Sequence, residues 1–308
     1  MDCIRGAARG VARGAPLGAR HAFRSFTVTA GFSGPVFRLG SAVLTVAREK
    51  VEGSRPRPDL ARRLASREEP AGRAVGYQRW NRLFFAHWRV PAGQVQASLP
   101  PGLHVDTHDG EAYLGVVPFF MERVRPAGLP PLPWLSWFPE LNVRTYVHDD
   151  AGRPGVWFYS LDCSRGPAVA LARRFFHLPY FHARMVSRRA GGVVRLASQL
   201  RREGDVPCHF RWSEFAGAGG ARAEPGSLDF FLVERYTLFT ADREGHLWSG
   251  RVRHAPYVVA VPEEAECSPA PARRAGFELE GPPASVLVAA PVDVEIFPLA
   301  RVRATGHA

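Results

Sequence analysis

Between residues 111 and 299 the chain breaks into short runs in which apolar and polar residues alternate, separated by clusters of Gly, Pro, Asp and Arg. A period of two belongs to a strand, because successive side chains leave opposite faces of the pleat. "EAYLGVVPFFMERV" (111–124) follows the turn "HDG". "LNVRTYVH" (141–148) and "GVWFYSLD" (155–162) flank "DDAGRP" and predict one hairpin. "VVRLASQL" (193–200) and "CHFRWSEF" (208–215) around "RREGDVP" predict a second. "LDFFLVERYTLFT" (228–240) and "HLWSGRVRH" (246–254) around "ADREG" predict a third, and "SVLVAAPVDVEIFPL" (285–299) supplies closing strands. The aromatic run "YQRWNRLFFAHWRVP" (77–91) precedes them all. One helix interrupts the pattern at "SRGPAVALARRFFHLP" (164–179), with Ser164 as its N-cap, Pro167 in its first turn and Pro179 beyond its end. Val169, Ala172, Phe175 and Phe176 form its apolar stripe. Many antiparallel hairpins with few helices predict an α+β domain over residues 77–308, built mainly as an antiparallel β-barrel or β-cone, which hides its own edges.

The formal charge of +11 on 308 residues suggests nucleic acid until it is divided along the chain. Residues 1–76 carry 13 Arg and one Lys against six carboxylates, whereas residues 77–308 carry 26 basic and 23 acidic groups. The basicity therefore belongs to an N-terminal extension, and the main domain is not expected to bind nucleic acid. "MDCIRGAARGVARGAPLGARHAF" shares its composition with organelle transit peptides, but it reads first as a poorly ordered extension, and it has no secretory apolar core. The apolar stretch 26–47 is broken by Gly31, Gly34, Pro35, Arg38 and Gly40, so no membrane span is expected. Residues 52–74 read as a charged linker kept out of any core, with a short helix from Asp59.

Of the 40 basic residues 39 are Arg, and Lys50 is the single lysine. Arg keeps its proton and does not act as an amine nucleophile, so residues 77–308 hold no group able to form a Schiff base. Cys3, Cys163, Cys208 and Cys267 are scattered without zinc-site spacing, which fits a reducing, cytoplasmic setting. GxSxG, GxxxxGK[ST] and strand-linked GxGxxG patterns are absent from the sequence, and no cofactor or metal is expected.

The blocks "FFAHWRVP", "LPPGLHVDTHDGEAYLGVVPFFM", "FPELNVRTYV", "GVWFYSLD", "ALARRFFHLPYFHA" and "VERYTLF", in this order, resemble the YqjF-like conserved proteins, domain of unknown function 2071, over residues 77–299. That family is similar in turn to acetoacetate decarboxylase and its relatives, whose antiparallel β-cone encloses a small-molecule cavity. The resemblance implies that Glu140 takes the position of a cavity carboxylate, and that Tyr180 and Phe181 stand where the decarboxylases place their lysines. The lysine is missing, so the resemblance carries the cavity and not the Schiff-base reaction.

On a strand, Arg144, Tyr146 and His148 share one face with Glu140, and Val143, Thr145 and Val147 take the other. An inward Arg144 would grip a substrate anion, and a shielded Glu140 would act as acid or base. The competing arrangement is a Glu140–Arg144 pair that braces the sheet, or solvated side chains on its outer face. Trp157, Tyr180 and Phe181 would shape the walls. Glu234 is a candidate substrate contact, although at most one of Glu234 and Arg235 can face inward from a strand. His104, Asp106 and His108 alternate in a way that would suit a metal, but "THDG" reads first as a turn. His177 and His182 are separated by Pro179, while His87 and His254 are as consistent with core histidines as with acids or bases. The sequence thus points to a small-molecule barrel acting by proton transfer on an organic acid or ketone, or to a non-catalytic module with a filled barrel, of undetermined oligomeric state.

Overall fold

A computed structural model describes residues 56–202 and 204–303. The expectations about the transit-like composition, the apolar stretch 26–47, Cys3 and Lys50 lie outside the described residues. The chain forms α1 (Leu60–Ala65), β1 (Gly76–Asn81), β2 (Leu83–Val90), α2 (Ala92–Ser98), β3 (Leu103–Val105) and β4 (Ala112–Pro126). The first predicted hairpin follows as β5 (Phe138–Asp149) and β6 (Pro154–Cys163). After α3 (Gly166–Phe176) come β7 (Tyr180–Ala190) and the second hairpin, β8 (Val193–Leu200) and β9 (Cys208–Ser213). Then come β10 (Ala221–Arg222), α4 (Leu228–Val233), β11 (Thr237–Ala241), β12 (Leu247–Arg253), β13 (Val258–Ala260) and β14 (Ala265–Cys267). The chain finishes with α5 (Ala270–Arg274), β15 (Ser285–Ala289), β16 (Val292–Ile296) and β17 (Ala300–Arg301).

The fold is mainly antiparallel, with few and short helices, as the hairpin pattern predicts. Pairings run from β1 to β4, β5 and β6, cross in parallel to β11, and continue through β12 and β16 back to β1, which gives the sheet its barrel-like form. Alternation then sorts the side chains into two cores. From β2 and β4, Leu83, Phe85, Tyr113, Val117, Phe119 and Met121 face the interior. Their neighbours Phe84, Ala86, Trp88, Leu114, Val116 and Phe120 pack outward under β8, β9 and α5, against Leu196, Phe210, Trp212 and Ala272. Both faces of β4 are therefore apolar, and the strand is buried over its first ten residues.

Three local expectations are corrected. The run 228–240 is not one strand: its first half is α4, and only Thr237–Ala241 is a strand. Phe230, Phe231, Leu232 and Val233 are all buried, so neither a period of two nor one of 3.6 stands out. Ser227 decides the matter by accepting the Phe230 amide at 3.2 Å, with Asp229 favourably placed in the first turn. In α3 the N-cap is Arg165 rather than Ser164, and Phe175 is 59% exposed instead of joining the stripe. Finally, the charged stretch before residue 77 is not kept away from buried groups. α1 starts at Asp59 as predicted, and Arg63 and Arg67 from this stretch reach the buried carboxylates of Asp106 and Glu234.

The parallel crossing of β6 and β11 is tight at Gly155. A Cβ there would fall 2.6 Å from the Phe239 ring and 2.8 Å from the Thr237 carbonyl oxygen. Gly155→Ala is predicted to destabilise the fold by about 2 kcal/mol through overpacking. Urea unfolding checks this, with Gly93→Ala in α2, where nothing lies within 4 Å, as the control expected to stabilise by up to about 1 kcal/mol.

Candidate functional site

Inside the sheet lies a cavity of about 210 Å³, smaller than the roughly 300–1,000 Å³ usual for ligand sites, so the interior is not filled but has room only for a small molecule. Its main wall is β5. Phe138, Glu140, Asn142 and Arg144 alternate along the strand and all face the cavity. β6 contributes Val156 and Phe158, then Leu161, because a bulge opposite Val143 and Arg144 shifts the register by one residue. α3 and the turn into β7 add Ala168, Ala172, Phe176, Leu178 and Tyr180. The lining is thus aromatic and aliphatic, with a few convergent polar groups.

Glu140 is 2% exposed, and its one hydrogen-bond partner is Tyr180, whose hydroxyl donates to Oε2 at 2.8 Å. No ion pair joins it among the described residues. Burial pushes its carboxyl up to about 8; the Tyr180 hydrogen bond opposes this and the nearby Asp162 adds to it. At neutral pH Glu140 is a protonated acid. The Tyr180 phenol is itself driven well above its ordinary range, by burial first and Glu140 second, so it remains a donor.

Arg144 is held differently. One terminal nitrogen donates to the Leu232 carbonyl at 3.3 Å, and the guanidinium carbon lies 5.5 Å from the Phe85 ring centre and 5.8 Å from that of Tyr146. Its Nε has no acceptor, and neither does the buried Nη2 of Arg235; the Asn142 Oδ1 has no donor. These three residues line the same cavity. Gly115 keeps the space beside Arg144 clear, since a Cβ there would press on the His87 ring at 3.1 Å and on Arg144 at 3.4 Å.

Behind this wall, charges are compensated. Arg235 donates to Asp106 at 2.8 Å and to the Phe231 carbonyl at 2.7 Å, while Arg63 grips Asp106 with two bonds of 2.7 Å. Burial alone would raise the Asp106 carboxyl, but Arg235 and Arg63 outweigh it and hold the group below its ordinary value. Burial lowers Arg235 to about 10, which leaves it charged at neutral pH.

The positions expected from sequence divide cleanly. Glu140, Arg144 and Tyr180 come together in the cavity, and the bracing pair of Glu140 with Arg144 does not form. Trp157 does not reach the cavity: it packs outside, against the cluster of Leu103, Val147, Phe239 and Leu247. Phe181 points outward at 38% exposure, beneath the Arg173 guanidinium, because it follows the inward Tyr180 by one residue on β7. The ring that lines the junction is Phe176. Glu234 is buried but committed elsewhere, accepting from Arg67, the Tyr236 hydroxyl and the Tyr257 amide, and Arg235 takes the inward position. Sequence reasoning did not find Asn142, Arg235 or Tyr257. Asn142 had a signal, being midway between Glu140 and Arg144 on the same strand face.

Among the described residues, the histidines weighed from the sequence do not converge on a metal site. His104 pairs with Asp150, His108 with the Gly226 carbonyl, and Asp106 with two arginines. His87 shares a 2.7 Å hydrogen bond with the Tyr146 hydroxyl and is held neutral by burial, with Arg144 adding to the effect. His254 stacks on Tyr236 and packs at a tilt against Tyr257, each ring centre 4.6 Å away, and burial lowers its pKa. Asp242, Glu244 and His246 approach one another on the β11–β12 turn, where Asp242 accepts from the His246 and Glu244 amides and so braces the turn.

A profile of the DUF2071 family, described as an uncharacterized conserved protein, matches residues 77–293. The uncharacterized protein YqjF of Bacillus subtilis (strain 168) is 38% identical over 199 residues, which cover 65% of this chain and 80% of that protein. Among solved structures, acetoacetate decarboxylase from Legionella pneumophila subsp. pneumophila str. Philadelphia 1 aligns with a TM-score of 0.54 at 15% identity, over 78% of this chain and 94% of that one. An acetoacetate decarboxylase-like enzyme from Sphingomonas wittichii RW1 aligns at 0.50 and 15% identity, over 75% and 94%. At this level of identity the likeness is one of fold.

The raised carboxyl makes a pH prediction. Glu140 is protonated in the folded chain up to about 8 but only up to about 4.5 when unfolded, so between these values the native state holds the extra proton. Stability contributed this way is lost as pH rises through that window, with a limiting slope of about 1.4 kcal/mol per pH unit. Glu140→Gln is predicted to flatten the slope and to exceed the parent in stability at pH 8, as read from denaturant melts at pH 5 to 8.

Proposed function

We propose that this chain, which belongs to the DUF2071 family of uncharacterized conserved proteins, binds a small organic acid in its interior cavity and acts on it by proton transfer at Glu140. One observation carries this reading: a neutral carboxyl and a guanidinium without a carboxylate partner stand on one strand face of an apolar cavity, two strand repeats apart. The rise of a strand sets their Cα atoms roughly 13 Å apart, so their side chains can meet opposite ends of one short ligand. A ligand carboxylate would accept from the free Nε of Arg144 and the free Nη2 of Arg235. The enolate of such a ligand would take the Glu140 carboxyl proton at carbon, and in the reverse direction the Glu140 carboxylate left behind, stabilised by the Tyr180 hydroxyl, would withdraw a proton from that carbon. Asn142, with its unpaired Oδ1, would fix the middle of the ligand.

Such chemistry needs no amine. Residues 77–308 contain no lysine, so a covalent iminium on this wall is unavailable to the residues that form it. The lining of the cavity is mostly aromatic and aliphatic, and a low local dielectric strengthens the charge interactions the ligand makes. A protein that binds such an acid without turning it over is the second reading, supported by the same cavity. It is distinguished by the fate of the ligand and not by its affinity.

A thermal-shift screen of carboxylic and keto acids with the full chain provides the test. A ligand that raises Tm is expected to lose about 2 kcal/mol of binding in Arg144→Ala, roughly thirtyfold in Kd. Glu140→Gln is expected to retain binding and to abolish proton exchange into the ligand, followed by NMR in deuterated water. An undiminished shift in Arg144→Ala overturns the proposal. Binding lost in Arg144→Ala, with no exchange in the parent, favours the non-catalytic reading.

A further inference from the structure

The β4–β5 connection is inside out. Residues 127–139, "AGLPPLPWLSWFP", contain no charged side chain. The one hydroxyl, that of Ser136, is turned inward at 2% exposure and accepts the Leu132 amide at 2.9 Å. Leu129, Leu132, Trp134 and Trp137 are turned outward at 58%, 46%, 62% and 37% exposure. Two further exposed apolar residues adjoin them. Val75, 41% exposed, accepts the Ala127 amide at 2.9 Å, and Phe175, 59% exposed, lines the same groove as Val75. Six of the eleven large apolar side chains exposed among the described residues therefore lie on one side of the molecule. A concentration of exposed apolar side chains on one loop and the residues beside it marks a contact surface, since leaving them in water costs roughly 25 cal/mol per Å².

Its rim identifies the occupant. Arg123 and Arg125 precede the loop at the end of β4, Arg165 reaches it and Arg174 stands beside Phe175; the partners of Arg125, Arg165 and Arg174 are uncharged. Arg165 donates to the Trp137 carbonyl at 3.5 Å, Arg125 lies 4.6 Å over the Tyr77 ring, and Arg174 lies 5.6 Å over Phe175. Across a two-fold contact with a second copy these arginines would face their own kind. An anionic lipid surface neutralises them while taking up the tryptophans and leucines beside them. We propose that the 127–139 loop, with Val75 and Phe175, seats on the face of an anionic bilayer, with Trp134 entering the acyl boundary and the rim arginines meeting the phosphate headgroups. No helix among the described residues is long and apolar enough to cross a membrane, and this seating needs none. The proposal is independent of what the cavity binds.

The test uses the full chain and vesicles of phosphatidylcholine with phosphatidylglycerol, some carrying brominated acyl chains. Residues 1–76 contain no tryptophan, so fluorescence ignores any binding by the basic extension. A blue shift and quenching by the brominated chains are expected, with both lost in Trp134→Ser/Trp137→Ser at unchanged Tm. Replacing phosphatidylglycerol by phosphatidylcholine should weaken the quenching response about tenfold or more. Vesicle binding without quenching, absence of binding, or a wild-type dimer that the double variant converts to monomer each overturns the proposal.

Discussion

The Tyr180 hydroxyl donates to Glu140, which forms no ion pair with the arginines of the same chamber, and the chemistry of the site depends on that isolation. A buried carboxylate without a positive partner is costly, so the group keeps its proton instead. The same strand carries Arg144, whose charge is eased by two ring faces and a backbone carbonyl rather than by a carboxylate. An acid that retains its proton and a cation without a counter-ion are thus kept apart by β5 itself. A direct pair between them would have cancelled both properties and left a strut.

That separation has to be supported from outside the cavity. The second inward arginine, Arg235, is tied down by Asp106, and Asp106 in turn by Arg63 from the helix that precedes the barrel. Glu234 takes up Arg67 from the same segment in a parallel arrangement. The rings of Phe231 and Phe230 lie 4.9 Å beneath the guanidiniums of Arg63 and Arg67, so this segment seals the back of the site with charge and aromatic surface together. Behind the wall the guanidiniums of Arg63, Arg67 and Arg235 share the two carboxylates of Asp106 and Glu234, and the free polar atoms of Arg144, Arg235 and Asn142 that face the cavity are left open to a ligand.

Much of this was legible in the chain. The alternation along β5 placed Glu140 and Arg144 on one face, because the strand period is a local property, whereas Tyr180 at the wall followed from the family resemblance and not from any period. What failed was governed by longer-range facts. Trp157 was misplaced because the bulge beside Tyr159 and Ser160 reverses the parity of β6, turning Leu161 inward although two-residue spacing puts it on the face of Trp157. Arg235 was obscured by an apolar run in which a six-residue helix and a strand look alike. The Arg63–Asp106 and Arg67–Glu234 bonds join residues 43 and 167 positions apart, and no local pattern encodes them. Phe181 was the avoidable error, since the residue after an inward tyrosine on a strand faces out.

The protonation state of Glu140 is the most direct test of this account. Infrared difference spectra of the full chain, compared with Glu140→Gln, isolate the carbonyl stretch of its protonated carboxyl. The account predicts that this band is present at pH 6, insensitive to salt, and lost with a midpoint near pH 8. A carboxylate signature for Glu140 already complete at pH 6 would contradict it, because the carboxyl would then have a compensating charge that the structure does not place beside it.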